Sequence, residues 1–231
     1  MNLIDKKFFI RNKLKNTIRK FINKLYCLPW KVLSKIGIYS GKGSPIQFVS
    51  EKANWAIQTV GKQIKKEIDI KNPNFFDINH NPSMLTKQVV HFGSQYMWLS
   101  WGKYMSKDNY FITSFFHGKP SDGFEVEKHI EDFLKSMPKL NKVITSSTLV
   151  ENRLLDWGVK REKLIKIPLG VDTKKFKTAN NESKNLIKKE YKIPSNSILI
   201  GSFQKDGIGW KDGLKPKFIK IASMDLNNYP F

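Results

Sequence analysis

The chain has 231 residues, of which 40% are hydrophobic and 13% aromatic; that is enough apolar material for a sizeable core and excludes wholesale disorder. Lysine and arginine number 41 against 20 acids, a formal net charge of +21, so the partners to expect are polyanions: nucleic acid, anionic lipid headgroups or phosphorylated substrates. A single cysteine, Cys27, excludes an internal disulfide and fits a reducing compartment; with no apolar run of spanning length and no signal-peptide block at the basic N-terminus, a cytoplasmic location is expected.

The charge is concentrated at the start. Eleven lysines and arginines precede Ser50, against the single acid Asp5. Lys6 to Tyr26 read as one basic amphipathic helix. Ile10, Leu14, Ile18, Phe21, Ile22 and Leu25 recur at helical spacing, and Lys7, Arg11, Lys13, Lys15, Lys20 and Lys24 fill much of the rest. An anionic membrane surface suits such a helix, because aliphatic and aromatic groups enter the interface while cations meet headgroups. Packing on the domain with a solvated lysine face suits it too. Nucleic acid is the weakest of the three partners, since no zinc-finger, RRM or KH-type signature accompanies the charge. Leu28-Pro29-Trp30 is expected to end the helix. Lys31 to Ser44 follows as a basic connector, broken by Gly41-Lys42-Gly43-Ser44-Pro45. No strand precedes that glycine-rich stretch, which makes it a linker rather than a phosphate loop.

Ile46 to Ser50 is the first expected core strand. A helix follows to about Ile68, with Ile57, Val60, Ile64 and Ile68 as its apolar positions. Glu51 and Asn54 stand just past the strand's carboxyl end, where open α/β sheets meet their ligands; a helix cap is the alternative. Asn72 to Pro82 is turn-rich. Gln88 to Gly93 is a second strand. Tyr96-Met97-Trp98-Leu99-Ser100-Trp101 is either a core helix face or a surface for stacking sugar or lipid. Asn109 to Phe116 is a buried strand that runs into His117-Gly118, and glycine there lets a ligand approach the backbone. His80, His91 and His129 have no partner at a meaningful spacing, and no His/Cys/Asp/Glu cluster has metal-ligand spacing.

Phe124 to Met137 carries a helix stripe of Val126, Ile130, Phe133, Leu134 and Met137, closed by Pro138. Asn141 to Thr145 is a β-branched strand. Thr148 and Glu151 sit at capping-box spacing and start a helix. Leu149, Arg153, Leu154 and Trp157 form its apolar stripe with one basic edge, and Gly158 supplies a positive-φ residue at its end. Arg161 to Lys163 is a charged turn, and Leu164 to Leu169 a further strand ending at Pro168. Strand, helix and strand with short joins make a βαβ unit with parallel strands. No Gly-x-Gly-x-x-Gly follows the first strand, which argues against a Rossmann oxidoreductase. Asn181 to Lys192 is a charged linker helix stopped by Pro194, and Ser197 to Phe203 is a fresh strand.

Pro168-Leu169-Gly170-Val171-Asp172, with Phe176 four residues on, resembles the "P-x-G-V-D…F" signature of the retaining glycosyltransferases of family 4. These enzymes have the GT-B fold, two facing Rossmann-like domains. The preceding stretch from Ile144 to Lys166 resembles the last βαβ unit of that family's first domain, and His117-Gly118 resembles its strand-end pair near the reacting sugar. The resemblance implies a doubly wound parallel α/β sheet. Its expected divisions are a basic helix and linker over 1–44, an acceptor-side domain over 45–178, a linker helix over 179–196, and the start of a donor-side domain over 197–231. It also implies transfer of a sugar, with retention, from a nucleotide-sugar co-substrate to a glycan or lipid-linked acceptor, at the cytoplasmic face of a membrane and with no metal. His117 would line the reacting centre. Glu51, Asn54, Gly118 and Asp172 would contact substrate. Lys205 and Lys220 would face the donor diphosphate, where fixed cations stabilise the departing charge. Two features depart from the pattern. Ile221 stands where the family has glycine after the second lysine, and the paired-glutamate motif is absent from its place. A family member cut short and inactive alone is therefore expected. The other reading of the residues is a non-catalytic basic α/β module that binds membrane or nucleic acid through its N-terminal helix.

Overall fold

Short runs rich in β-branched and aromatic residues, most of them stopped by Gly, Ser or Asn, produce strands too brief to stand alone, and they are satisfied by pairing in one parallel sheet. The computed structural model describes residues 3–41, 43–53 and 56–197. The chain divides into two units, residues 1–170 and 171–231. In the first, α1 (Leu3–Lys35) precedes β1 (Ile46–Val49), α2 (Ala56–Lys71), β2 (Phe76–Asn79), β3 (Val89–Phe92) and α3 (Gln95–Trp101). Then come β4 (Tyr110–Ser114), α4 (Phe124–Ser136), β5 (Lys142–Thr145), α5 (Thr148–Asp156) and β6 (Leu164–Lys166). The strand order is β2-β1-β3-β4-β5-β6, and every neighbouring pair is parallel. Asn79, Val49, Phe92, Thr113, Val143 and Leu164 fall in one row across the sheet. The expected α/β class, with a Rossmann-like parallel sheet flanked by helices, is therefore what the chain forms.

The main core lies on one face of the sheet. Val49, Val90, Phe92, Phe111, Phe115 and Val143 pack with Met97 and Trp98 of α3, Phe133 of α4, Val150 and Leu154 of α5, and Cys27 of α1. Trp98 is fully buried and donates its indole N–H to Ser136 Oγ at 2.7 Å, as a buried tryptophan requires. On the other face, α2 lies over Phe48, whose ring meets Phe76 and, edge-on, His91. That face is covered unevenly. By strand alternation it carries Ile112 and Ile144, both half-buried, and Ile165, 38% exposed.

Several elements differ from expectation for identifiable reasons. The N-terminal helix does not stop at Pro29 but runs to Lys35. Beyond the proline it is held by Trp30, whose ring lies 4.9 Å from that of Tyr39, and by Ser34, whose hydroxyl donates to Asp108 Oδ2 at 3.1 Å. The turn-rich segment contains the edge strand β2. Helix α5 is capped by Ser147, whose Oγ accepts from Val150 N at 3.3 Å, one residue before the expected capping box. Leu149 is exposed and Val150 takes its place in the core. Strand β6 ends at Lys166, short of Pro168. Gly158 has φ +84 at the end of α5, as expected. In the second unit, α6 (Asn181–Glu190) is capped by Asn180, which accepts from Ser183 N at 2.8 Å. The strand expected over Ser197 to Phe203 lies, apart from its first residue, outside the described residues.

Candidate functional site at the carboxyl edge of the sheet

The strand order reverses between β1 and β3: from β1 the chain goes outward to β2, and from β3 it goes the other way to β4. Loops that part in this manner open a crevice at the strands' carboxyl ends, which is where ligands of open α/β sheets bind. Here the two loops are Ser50–Ala53 and Gly93–Ser94. They frame a small hollow, with room for about one water, lined by Glu51, Ala53, Ile57, Gln58, Ser94 and Met97. Gly93 allows the close approach, since a Cβ there would lie 2.5 Å from Ile57 Cγ2 and 2.8 Å from the Phe48 ring. Ser94 Oγ accepts from Met97 N at 3.3 Å and starts α3. His80 Nδ1 lies 2.9 Å from the Ser50 carbonyl, tying the end of β2 to that of β1.

One strand further along, residues from four elements converge on His117-Gly118. Both follow the end of β4, and the His117 side chain is exposed. The backbone here is fixed by two long-range bonds. Gln95 Nε2 on α3 donates to the His117 carbonyl at 3.2 Å, and Arg153 Nη1 on α5 donates to the Gly118 carbonyl at 3.1 Å. Gly118 has φ +111, a region that side-chain-bearing residues rarely adopt. The Tyr96 ring lies 6.2 Å from that of His117 and stacks on His129 of α4 at 4.0 Å. Burial holds the His129 imidazole down at about 4, with Asp132 opposing and His117 reinforcing the shift. Burial raises the Tyr96 phenol. The edge thus presents a neutral histidine stacked on a tyrosine, an exposed histidine, and an arginine tied to the backbone. Such a surface can hydrogen-bond a hydroxylated ligand and pack against its C–H faces.

The expected site residues fare differently. His117 and Gly118 sit in this cluster. Glu51 is exposed at the neighbouring loop, beside the small hollow. Asn54, Lys205 and Lys220 lie outside the described residues. Asp172 belongs to the second unit, where its carboxylate accepts from Lys174 N at 3.0 Å and Lys175 N at 3.1 Å, making a turn that carries Phe176. The aromatic run at 96–101 splits: Met97, Trp98 and Trp101 are core, and Tyr96 alone is turned to the edge and exposed. Tyr96 was expected only as part of a run that is either core or a stacking surface; Gln95, His129 and the Arg153 bond to Gly118 were not expected. For Arg153 the sequence offered a basic edge on the α5 stripe; for His129 it offered nothing. Among the described residues, no group of three His, Cys, Asp or Glu gathers in the manner of metal ligands, and no helix is long and apolar enough to cross a membrane. Comparison with known proteins finds no matching family model, no similar curated protein and no similar solved structure.

Proposed function

We propose that the first unit is the acceptor-side half of a retaining glycosyltransferase, holding the hydroxyl end of a glycan or lipid-linked saccharide over the carboxyl edge of its sheet. The observation that carries the proposal is the convergence of Gln95, Tyr96, His117, Gly118 and Arg153 at that edge. The likeness of Pro168 to Phe176 to the family signature supports it independently. Saccharides are bound by aromatic faces flanked by fixed donors and acceptors, and Tyr96 beside His117 offers both. Two bonds from different helices hold the 117–118 backbone, so the acceptor would meet a pre-set surface. The donor would be a nucleotide-sugar, with Lys205 and Lys220 on its diphosphate; that part rests on the sequence resemblance alone. Charge leaving with the diphosphate would be stabilised by these cations, and the departing phosphate oxygen would take the acceptor proton.

Acceptor binding is the direct test. Ring resonances of His117 and Tyr96 should shift when a panel of saccharides and isoprenoid-linked saccharides is titrated in, while His91 stays put. His117→Ala with Tyr96→Ala should abolish the shifts recorded on neighbouring backbone amides. A panel that leaves both rings unmoved at millimolar concentration overturns the proposal.

A further inference from the structure

Helix α1 is docked by the wrong side for an ordinary amphipathic helix. The residues it buries against the α/β body are Asn23, Cys27 and Ser34, a polar and small stripe at spacings of four and seven. Asn23 Nδ2 donates to the Ser100 carbonyl at 2.9 Å, and Ser34 to Asp108. At 3.6 residues per turn, the stripe Ile18, Ile22, Leu25, Val32 and Ile36 lies about 165° around the helix from it. These residues face away from the body. Phe21 is 61% exposed, Leu25 52%, Val32 49% and Ile36 59%, with Ile18, Ile22, Tyr26 and Leu28 similar. Together they expose roughly 800 Å² of mostly apolar surface, above the few hundred Å² that a soluble monomer usually shows in one patch.

The borders of the stripe identify its occupant. Lys20, Lys24 and Lys35 run along one side and Arg19 stands on the other, all exposed. Residues 17–41 contain five lysines and arginines and no acid. A second copy of this helix would set those cations against their own kind along the seam, which disfavours a coiled-coil pair. An anionic bilayer surface complements both parts at once, the apolar stripe entering the acyl boundary and the cations meeting headgroups. We propose that α1 lies in the surface of an anionic lipid bilayer by its Ile18–Ile36 face while its Asn23–Cys27–Ser34 face stays docked on the α/β body. The helix is a bracket between the two, not an anchor on a tether. The proposal does not depend on the transferase reading, because it uses none of the side chains of the carboxyl-edge site and no saccharide.

The test uses the full chain with vesicles of phosphatidylcholine alone and with about one third phosphatidylglycerol. The wild type should sediment with the anionic vesicles and not the neutral ones, and added salt should release it. Phe21→Ser with Leu25→Ser should cut partitioning at least tenfold. Charge reversal is not needed: Lys20→Gln, Lys24→Gln and Lys35→Gln should each lower it about fivefold. These side chains point outward, so the variants should keep the wild-type urea midpoint and keep Cys27 inert to maleimide in solution. On vesicles Cys27 should stay protected, since its face remains docked. Four results overturn the proposal: no sedimentation of the wild type with anionic vesicles, equal binding to neutral vesicles, unchanged binding of the Phe21/Leu25 variant, or labelling of Cys27 once the protein is bound. A wild-type dimer that the Phe21/Leu25 variant dissociates would overturn it too, in favour of a second copy.

Discussion

His91 makes the stability of the sheet depend on pH in a way that can be worked out. It lies on β3 facing the edge of the Phe48 ring at 5.0 Å, with Nε2 2.9 Å from Ser114 Oγ. Burial lowers its pKa from 6.5 to about 4. A depressed histidine pKa means that the folded state holds the neutral ring while the unfolded chain takes a proton more readily. Stability is therefore full above about pH 6.5, falls as pH drops through the interval down to about 4, and is not recovered below it. At about pH 4.5 the unfolded imidazole is almost wholly protonated and the folded one about a quarter, a difference of about 2.5 kcal/mol, or about 2 kcal/mol allowing for partial exposure of the ring. The assay is urea unfolding of wild type and His91→Gln at about pH 7.5 and pH 4.5. Glutamine keeps a partner for Ser114 but cannot titrate. The wild type should lose about 2 kcal/mol more than the variant over that interval; His129 and the carboxylates are common to both and cancel. Equal losses, or an His91 ring that titrates near 6.5 by NMR, would refute the reasoning and show that water reaches that face of the sheet.

Other perturbations have comparably definite outcomes. Asn109 is buried and binds three backbone groups: its amide donates to the carbonyls of Leu85 at 2.8 Å and Ser106 at 3.2 Å, and its oxygen accepts from Gln88 N at 3.1 Å. Asn109→Ala should cost about 2–4 kcal/mol in urea unfolding, because all three groups lose their partner inside the protein. Gly118→Ala should cost about 1–2 kcal/mol from backbone strain alone, since the nearest atom to a Cβ there is Val126 Cγ1 at an ordinary 3.5 Å; an unchanged midpoint would mean that the loop relaxes. Glu151→Gln breaks the 2.6 Å pair with Arg161, but that arginine is 65% exposed, so calorimetry should show a loss of only about 1 kcal/mol. The Cys27 thiol, pushed up to about 12 by burial with Lys31 pulling it back, should react with a thiol reagent in native buffer no faster than the protein opens, and fully in denaturant.

The sheet's inner strands were legible because each is a buried β-branched or aromatic run with its own stop: Val49 before Ser50, Phe92 before Gly93, Ser114 before the His117-Gly118 turn, Thr145 before Ser146. Strand β2 was not. Asp77 and Asn79 put polar side chains at the sheet's margin, and Pro73 and Pro82 bracket only four strand residues, so the local signal is that of a turn. Helix α1 runs past Pro29 because the proline is exposed, away from the body, and the Trp30–Tyr39 ring contact with the Ser34 bond to Asp108 outweighs one missing backbone bond. At the candidate site, the rule that ligands gather at strand ends points to His117 and Glu51. The bond from Arg153 to Gly118 joins residues 35 apart, and the stack of Tyr96 on His129 joins two helices; no spacing along the chain encodes either.

Docking by a polar stripe also changes how variation in α1 should be interpreted. In most helices an apolar position that refuses a polar substitute marks the interior, and a small polar position is free to drift. Here a screen for folded protein should tolerate serine at Leu25 or Val32 and reject bulky replacements at Asn23, Cys27 and Ser34, whose side chains are buried against the body. Folding and surface attachment would then be separable by mutation within a single helix, turn by turn.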